Sequence, residues 1–92
     1  MIRVLYYAGI RELAGTLETR VEDFSGTLVG LLRYLEERHG IFLADSSQAE
    51  GTDLLSDLII MINGRHIAHI GGLDAPVTDG DIVTIFPLVG GG

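Results

Sequence analysis

The chain has 92 residues, a formal charge of −7, a sequence pI near 4.6, no cysteine and no lysine. Its length suits one hydrophobic core and 47% apolar residues can fill it, so a single domain spanning 1–92 is expected. The acidity argues against nucleic acid or an anionic membrane as partner, and the missing cysteines exclude disulfides, thiolate metal sites and thioester chemistry.

The longest apolar run, Leu58 to Ile62, is too short to cross a membrane. The N-terminus opens directly on a strand pattern rather than a signal peptide, so a cytoplasmic protein is expected. The negative charge fits either a basic docking surface on another protein or simple solubility. All six basic residues are arginine. That usage fits a compositional bias of the genome, or a chain kept free of amines that its own activated terminus could acylate.

In chain order, Ile2, Val4 and Tyr6 recur at period two and should face the core, which leaves Leu5 and Tyr7 on the other face with Arg3. Gly9 to Gly15 reads as a connection. Leu17 to Phe24 alternates imperfectly and reads as an edge strand. Thr27 then caps a helix whose Leu28, Leu31, Leu32 and Leu35 form one apolar face. Arg38 and His39 sit in its last turn, and Gly40 suits the left-handed position just beyond. Ile41 to Leu43 should return to the core, and Asp45 to Asp53 reads as an exposed acidic loop.

Leu58 to Ile62 reads as a central strand buried on both faces, and Asn63-Gly64 as a type I′ hairpin turn. Arg65 to Ile70 is the expected return strand. A turn region over Gly71 to Pro76 and a tight turn at Thr78 to Asp81 follow. Ile82 to Phe86 is the last strand, and Pro87 ends its pairing by removing a donor. One main helix packed on a mixed sheet, with the first and last strands adjacent, is an α+β β-grasp, or ubiquitin-like, roll. Its second face, with Leu5, Tyr7 and Phe86, is left for a partner.

Enzyme-like constellations are poor. His66 and His69, three apart on the expected strand, point to opposite faces and do not converge on a metal. No phosphate loop is present, and Asp79-Gly80-Asp81 lacks the further ligands of a calcium loop. What remains is the tail, Pro87-Leu88-Val89-Gly90-Gly91-Gly92. Glycines make it thin and flexible, suited to threading a carboxylate into another protein's active site. With an ordinary pKa of about 3.3–3.7, that carboxylate is ionised at neutral pH.

The opening, Met1 through Gly15, resembles that of the small subunit of molybdopterin synthase (MoaD). So does the ending, from Leu73-Asp74 through Asp81 and Ile85-Phe86-Pro87 to Gly91-Gly92. With the Asn63-Gly64 hairpin, the resemblance to the MoaD/ThiS sulfur-carrier superfamily spans nearly the whole chain. It is nearest to longer archaeal-type members, which include small archaeal modifiers. The resemblance implies adenylation of Gly92 by a ubiquitin-activating-like enzyme of MoeB/ThiF type, which supplies ATP and magnesium; this chain binds no cofactor. Conversion to a thiocarboxylate follows, and the tail then enters a MoaE-type large subunit of molybdopterin synthase. Leu88, where a second proline is usual, and Gly90, where a larger residue is common, depart from the pattern.

The resemblance leaves three roles to separate. One is a sulfur carrier for molybdopterin or for another pathway, such as thiamine or tRNA thiolation. Another is a modifier conjugated to protein lysines through its terminal glycines. The third is a non-covalent β-grasp binding module whose tail is incidental.

Overall fold

The computed structural model describes residues 1–40 and 58–87, so the expected core return at 41–43, the acidic loop at 45–53 and tail residues 88–92 lie outside the described residues. The elements are β1 (Ile2–Tyr6), α1 (Ala8–Ala14), β2 (Glu18–Val21), β3 (Gly26–Thr27), α2 (Leu28–His39), β4 (Leu58–Ile62), β5 (Arg65–His66), β6 (Pro76–Val77) and β7 (Ile82–Pro87). Two 3-10 turns, Ile67–His69 and Gly72–Asp74, join β5 to β6.

The main sheet runs β2-β1-β7-β4-β5, with β1 and β7 parallel at its centre and its other pairs antiparallel. This is the expected α+β β-grasp. α2 lies on one face and buries Leu28, Leu31, Leu32 and Leu35 completely. Burial of each leucine contributes roughly 1.5–3 kcal/mol relative to exposure. Against them pack Ile2, Val4 and Tyr6 of β1, Val83 and Ile85 of β7, and Ile60 and Ile62 of β4. The Thr27 hydroxyl accepts from the Gly30 amide at 3.3 Å, and Gly40 ends α2 at φ 68° with its N–H on the Glu36 carbonyl. Asn63 (φ 53°) and Gly64 (φ 84°) both have the positive φ that a type I′ turn demands.

Five expectations are corrected. Residues 8–14 are a helix rather than a connection: Ile10 and Ala14, one turn apart, both reach the core, and Gly15 at φ 77° closes the helix on the Arg11 carbonyl. At two turns α1 is too short for a periodic signature. β2 is shorter than Leu17 to Phe24: its ladder with β1 runs from Glu18, opposite Leu5, to Val21, opposite Ile2. Asp23 at φ 56° then turns the chain away.

β4 is interior but not buried on both faces. α2 covers one side only, so Ile59 and Met61 on the other stay half-buried. The return strand stops at His66, whose Nδ1 accepts the Ala68 amide at 3.0 Å and folds the chain into the first 3-10 turn. His66 and His69 therefore do not point to opposite faces. Their rings meet edge to face, centroids 6.2 Å apart.

The core carries one polar chain. Tyr6 donates its hydroxyl proton to Thr19 Oγ1 at 2.8 Å, and Thr19 Oγ1 lies 2.8 Å from His39 Nε2. With Thr19 buried at 3% exposure, every group is satisfied when Thr19 donates to a neutral His39. Burial, then the Arg38 charge, lowers the His39 pKa, opposed by a hydrogen bond to the Ala14 backbone. Burial raises that of Tyr6, opposed by its bond to Thr19.

Thr19→Val orphans the Tyr6 donor and should cost about 1–3 kcal/mol in urea unfolding, part of it recovered by adding Tyr6→Phe. The sign for His39 follows from its depressed folded pKa: the unfolded state binds the proton more tightly. Its contribution is present above the ordinary histidine pKa of about 6.5 and is lost as pH falls through the folded value. The urea midpoint should drop from pH 7.5 to pH 5 more steeply in the native chain than in His39→Gln. Parallel profiles would contradict the neutral-histidine assignment.

Candidate functional site

The face of the sheet opposite α2 has no element over it among the described residues, and strand register arranges its side chains in rows. Ile59 of β4 stands opposite Phe86 of β7, and the Phe86 ring lies 5.8 Å from that of Tyr7, just beyond β1. The next row is Met61, Thr84, Leu5 and Glu18, and the third is Ile82, Arg3 and Arg20. The face is thus most apolar along the edge where β7 leaves the sheet. Pro87, opposite Leu58, is the last residue of that ladder. Lacking an N–H, it cannot donate to any continuation of the pairing.

The three expected interface residues, Leu5, Tyr7 and Phe86, are brought together on this face, Leu5 and Phe86 half-buried and Tyr7 38% exposed. Ile59 and Met61 belong with them. Period-two alternation along β4 contains that signal, masked by a strand in which every residue is apolar. Pro87 stands at the exit, while Leu88, Val89, Gly90, Gly91 and Gly92 lie outside the described residues.

Glu18 is clamped by two guanidinium groups, accepting from Arg3 Nε at 2.8 Å and Arg20 Nε at 3.2 Å. These two bonds, Arg3 first, hold its pKa down to about 2, partly opposed by desolvation. The same bond raises the Arg3 pKa. Beside this clamp, an open groove of about 260 Å³ is lined by Leu5, Tyr6, Tyr7, Arg11, Leu17 and Glu18. Arg11 reaches it from α1, its Nε donating to the Tyr6 carbonyl at 3.4 Å.

Glu22 and Asp23 follow β2 where β1 starts, and Asp79 and Asp81 lie beside the same end, with Gly80 N–H on the Met1 carbonyl. Among the described residues, the open face carries Arg3 and Arg20 against one acid, Glu18, with Arg11 at its edge. A larger cavity of about 440 Å³, lined by Ile62, Asn63, Arg65, Ile70, Pro76 and Asp81, lies at the acidic end, away from the exit. There Asn63 is locked between Asp81 Oδ1 and the Ile82 amide, both at 2.9 Å. Among the described residues no three histidine, aspartate or glutamate side chains cluster as metal ligands, and no helix is long and apolar enough to cross a membrane. The arrangement offers a protein surface an apolar sheet face with Pro87 at its edge.

The model of the ThiS family matches residues 4–92. The molybdopterin synthase sulfur carrier subunit of Escherichia coli is 33% identical over 95 residues, covering all of both chains. Small archaeal modifier protein 3 of Haloferax volcanii is 31% identical over 93 residues, covering 99% of this chain and 98% of that one. Among solved structures, small archaeal modifier protein 1 of Methanosarcina acetivorans superposes with a TM-score of 0.78 at 27% identity, over 99% of this chain and 95% of the other. The chain belongs to the ThiS family, within the ubiquitin-like MoaD/ThiS superfamily of sulfur carriers.

Proposed function

We propose that the chain is the sulfur carrier of a molybdopterin synthase, with the Gly92 carboxylate as its reactive group. The observation that carries this reading is the end-to-end 33% identity to the Escherichia coli molybdopterin synthase sulfur carrier subunit. A carboxylate oxygen of Gly92 attacks the α-phosphorus of ATP and expels pyrophosphate, giving an acyl-adenylate. A hydrosulfide-equivalent donor then attacks the acyl carbon, forms the C–S bond and expels AMP, leaving a thiocarboxylate. ATP and magnesium are bound by a ubiquitin-activating-like adenylating enzyme, and a synthase large subunit takes the sulfur. Leu5, Tyr7, Phe86, Ile59 and Met61 dock each partner in turn, while Leu88 to Gly92 enter its active site.

Intact mass spectrometry tests the chemistry. Protein made together with its adenylating enzyme and a sulfur source should show a fraction in which one carboxyl oxygen is replaced by sulfur. If that species never forms, the carrier reading is wrong.

A second reading has its own support in the 31% identity to small archaeal modifier protein 3. An amine in place of the sulfur donor would give an amide, conjugating Gly92 to a target lysine. Because the chain has no lysine, such conjugates would carry single copies rather than lysine-linked chains. Peptides bearing the tail remnant on lysines of other proteins would establish it, and their absence during active adenylation would remove it.

A further inference from the structure

The groove beside the exit has a composition at odds with the rest of the molecule. In a chain of charge −7 it presents a guanidinium, that of Arg11, with no ion pair to it among the described residues. Only Arg11 Nε is engaged, by the Tyr6 carbonyl, so the two terminal nitrogens of its fork are unclaimed there. The one acid in the groove wall, Glu18, is already occupied by Arg3 and Arg20 and does not neutralise it. Glu12, the next residue of α1, is turned about 100° around the helix from Arg11. The other walls are apolar, and Leu17 is 58% exposed, a large aliphatic surface left to water. An unpaired planar donor fork beside exposed apolar walls is complementary to a carboxylate next to an aliphatic or aromatic side chain.

We propose that this groove receives an acidic–apolar segment of the adenylating partner, a carboxylate on Arg11 and one apolar side chain against Leu5, Tyr7 and Leu17. The proposal rests on the carrier reading. It adds a charged anchor at the rim of the apolar face, with polarity opposite to what the net charge alone suggests. Groups at a rim set register and encounter rate, so Arg11 acts in positioning the carrier and takes no part in the chemistry.

The test uses the full chain and its cognate adenylating enzyme. Binding without ATP is followed by NMR of the labelled carrier, and adenylation by carrier-dependent ATP–pyrophosphate exchange. Amides of Tyr7, Arg11 and Leu17 should shift on binding. Arg11→Glu should raise the KM for carrier about tenfold or more with kcat nearly unchanged, Arg11→Lys should recover part of the loss, and Leu17→Ser should weaken binding by a smaller factor. Raising salt should weaken the wild type more than Arg11→Gln, which loses the charge and keeps a donor. An unchanged KM in Arg11→Glu, a defect confined to kcat, or unshifted groove amides would overturn the proposal while the carrier reading stands. Wild-type carrier that neither binds nor supports exchange would sink the carrier reading, and the groove proposal with it. Thermal unfolding of each variant separates these outcomes from misfolding.

Discussion

Amidation of Gly92 should abolish pyrophosphate exchange and thiocarboxylate formation together, with no change in the unfolding curve. An amide has no carboxylate oxygen to attack the α-phosphorus, and with no cysteine in the chain there is no thiol to carry the sulfur instead. One alanine appended after Gly92 is the subtler version. It restores a carboxylate but displaces it by up to about 3.6 Å and adds a Cβ at the end of the thread. In-line attack tolerates little misplacement, an ångström costing on the order of 10²-fold, so the loss should exceed about that factor. Both variants should still bind the adenylating enzyme through the sheet face. That split separates a carrier or modifier from a non-covalent module, whose function neither change would touch. Undiminished thiocarboxylate on the extended chain would contradict the assignment of the reactive group to Gly92.

How much of this could be read from the residues depended on whether each signal was local. α2 was legible throughout: the leucine spacing, the Thr27 cap and the Gly40 terminus are all set within one helix, and each is found where expected. The Asn63-Gly64 turn was legible for the same reason. α1 was not, because two turns supply just Ile10 and Ala14 as a pattern, and their burial comes from packing at the end of β7. The pairing of Gly26–Thr27 with Pro76–Val77 joins segments some fifty residues apart and has no local signature at all.

The site divides the same way. Leu5, Tyr7 and Phe86 showed themselves as apolar residues on the wrong side of an alternating strand. Arg11 and Leu17 did not, since their groove exists only once α1 and β2 flank β1. Net charge carries no information about this groove, because it averages over the whole surface while the Arg11 fork stands at one edge of it. His66 and His69 met because one side-chain-to-backbone bond ended a strand that propensity would have continued.

Ile85→Ala and Phe86→Ala put the two-faced sheet to its strongest test, because the residues are neighbours in sequence. Ile85 is fully buried in the central strand, beneath α2 and paired with Tyr6 on one side and Ile60 on the other. Removing three carbons there leaves a cavity bounded by two paired strands and a helix that cannot easily close it. The cost should be about 2–5 kcal/mol, a large share of the roughly 5–15 kcal/mol that holds a domain of this size together. Urea or thermal unfolding reads it directly.

Phe86 lies on the open face, half-buried, and its main partner is the Tyr7 ring. Its truncation should cost about 0.5–1.5 kcal/mol of aromatic contact beyond a modest loss of buried area. The larger effect should fall on affinity for the adenylating enzyme, where an aromatic near the centre of a docking face is the kind of residue that dominates binding. Ile85→Ala, assayed at a temperature where it remains folded, should bind nearly as well as wild type. Equal losses of stability in the two variants, or equal losses of affinity, would mean that the sheet does not divide its faces between core and partner. A clean division would explain how so small a chain can keep a conventional core under α2 while, among the described residues, Ile59, Phe86, Tyr7 and Leu5 lie on a face with no element over it and remain available to a partner.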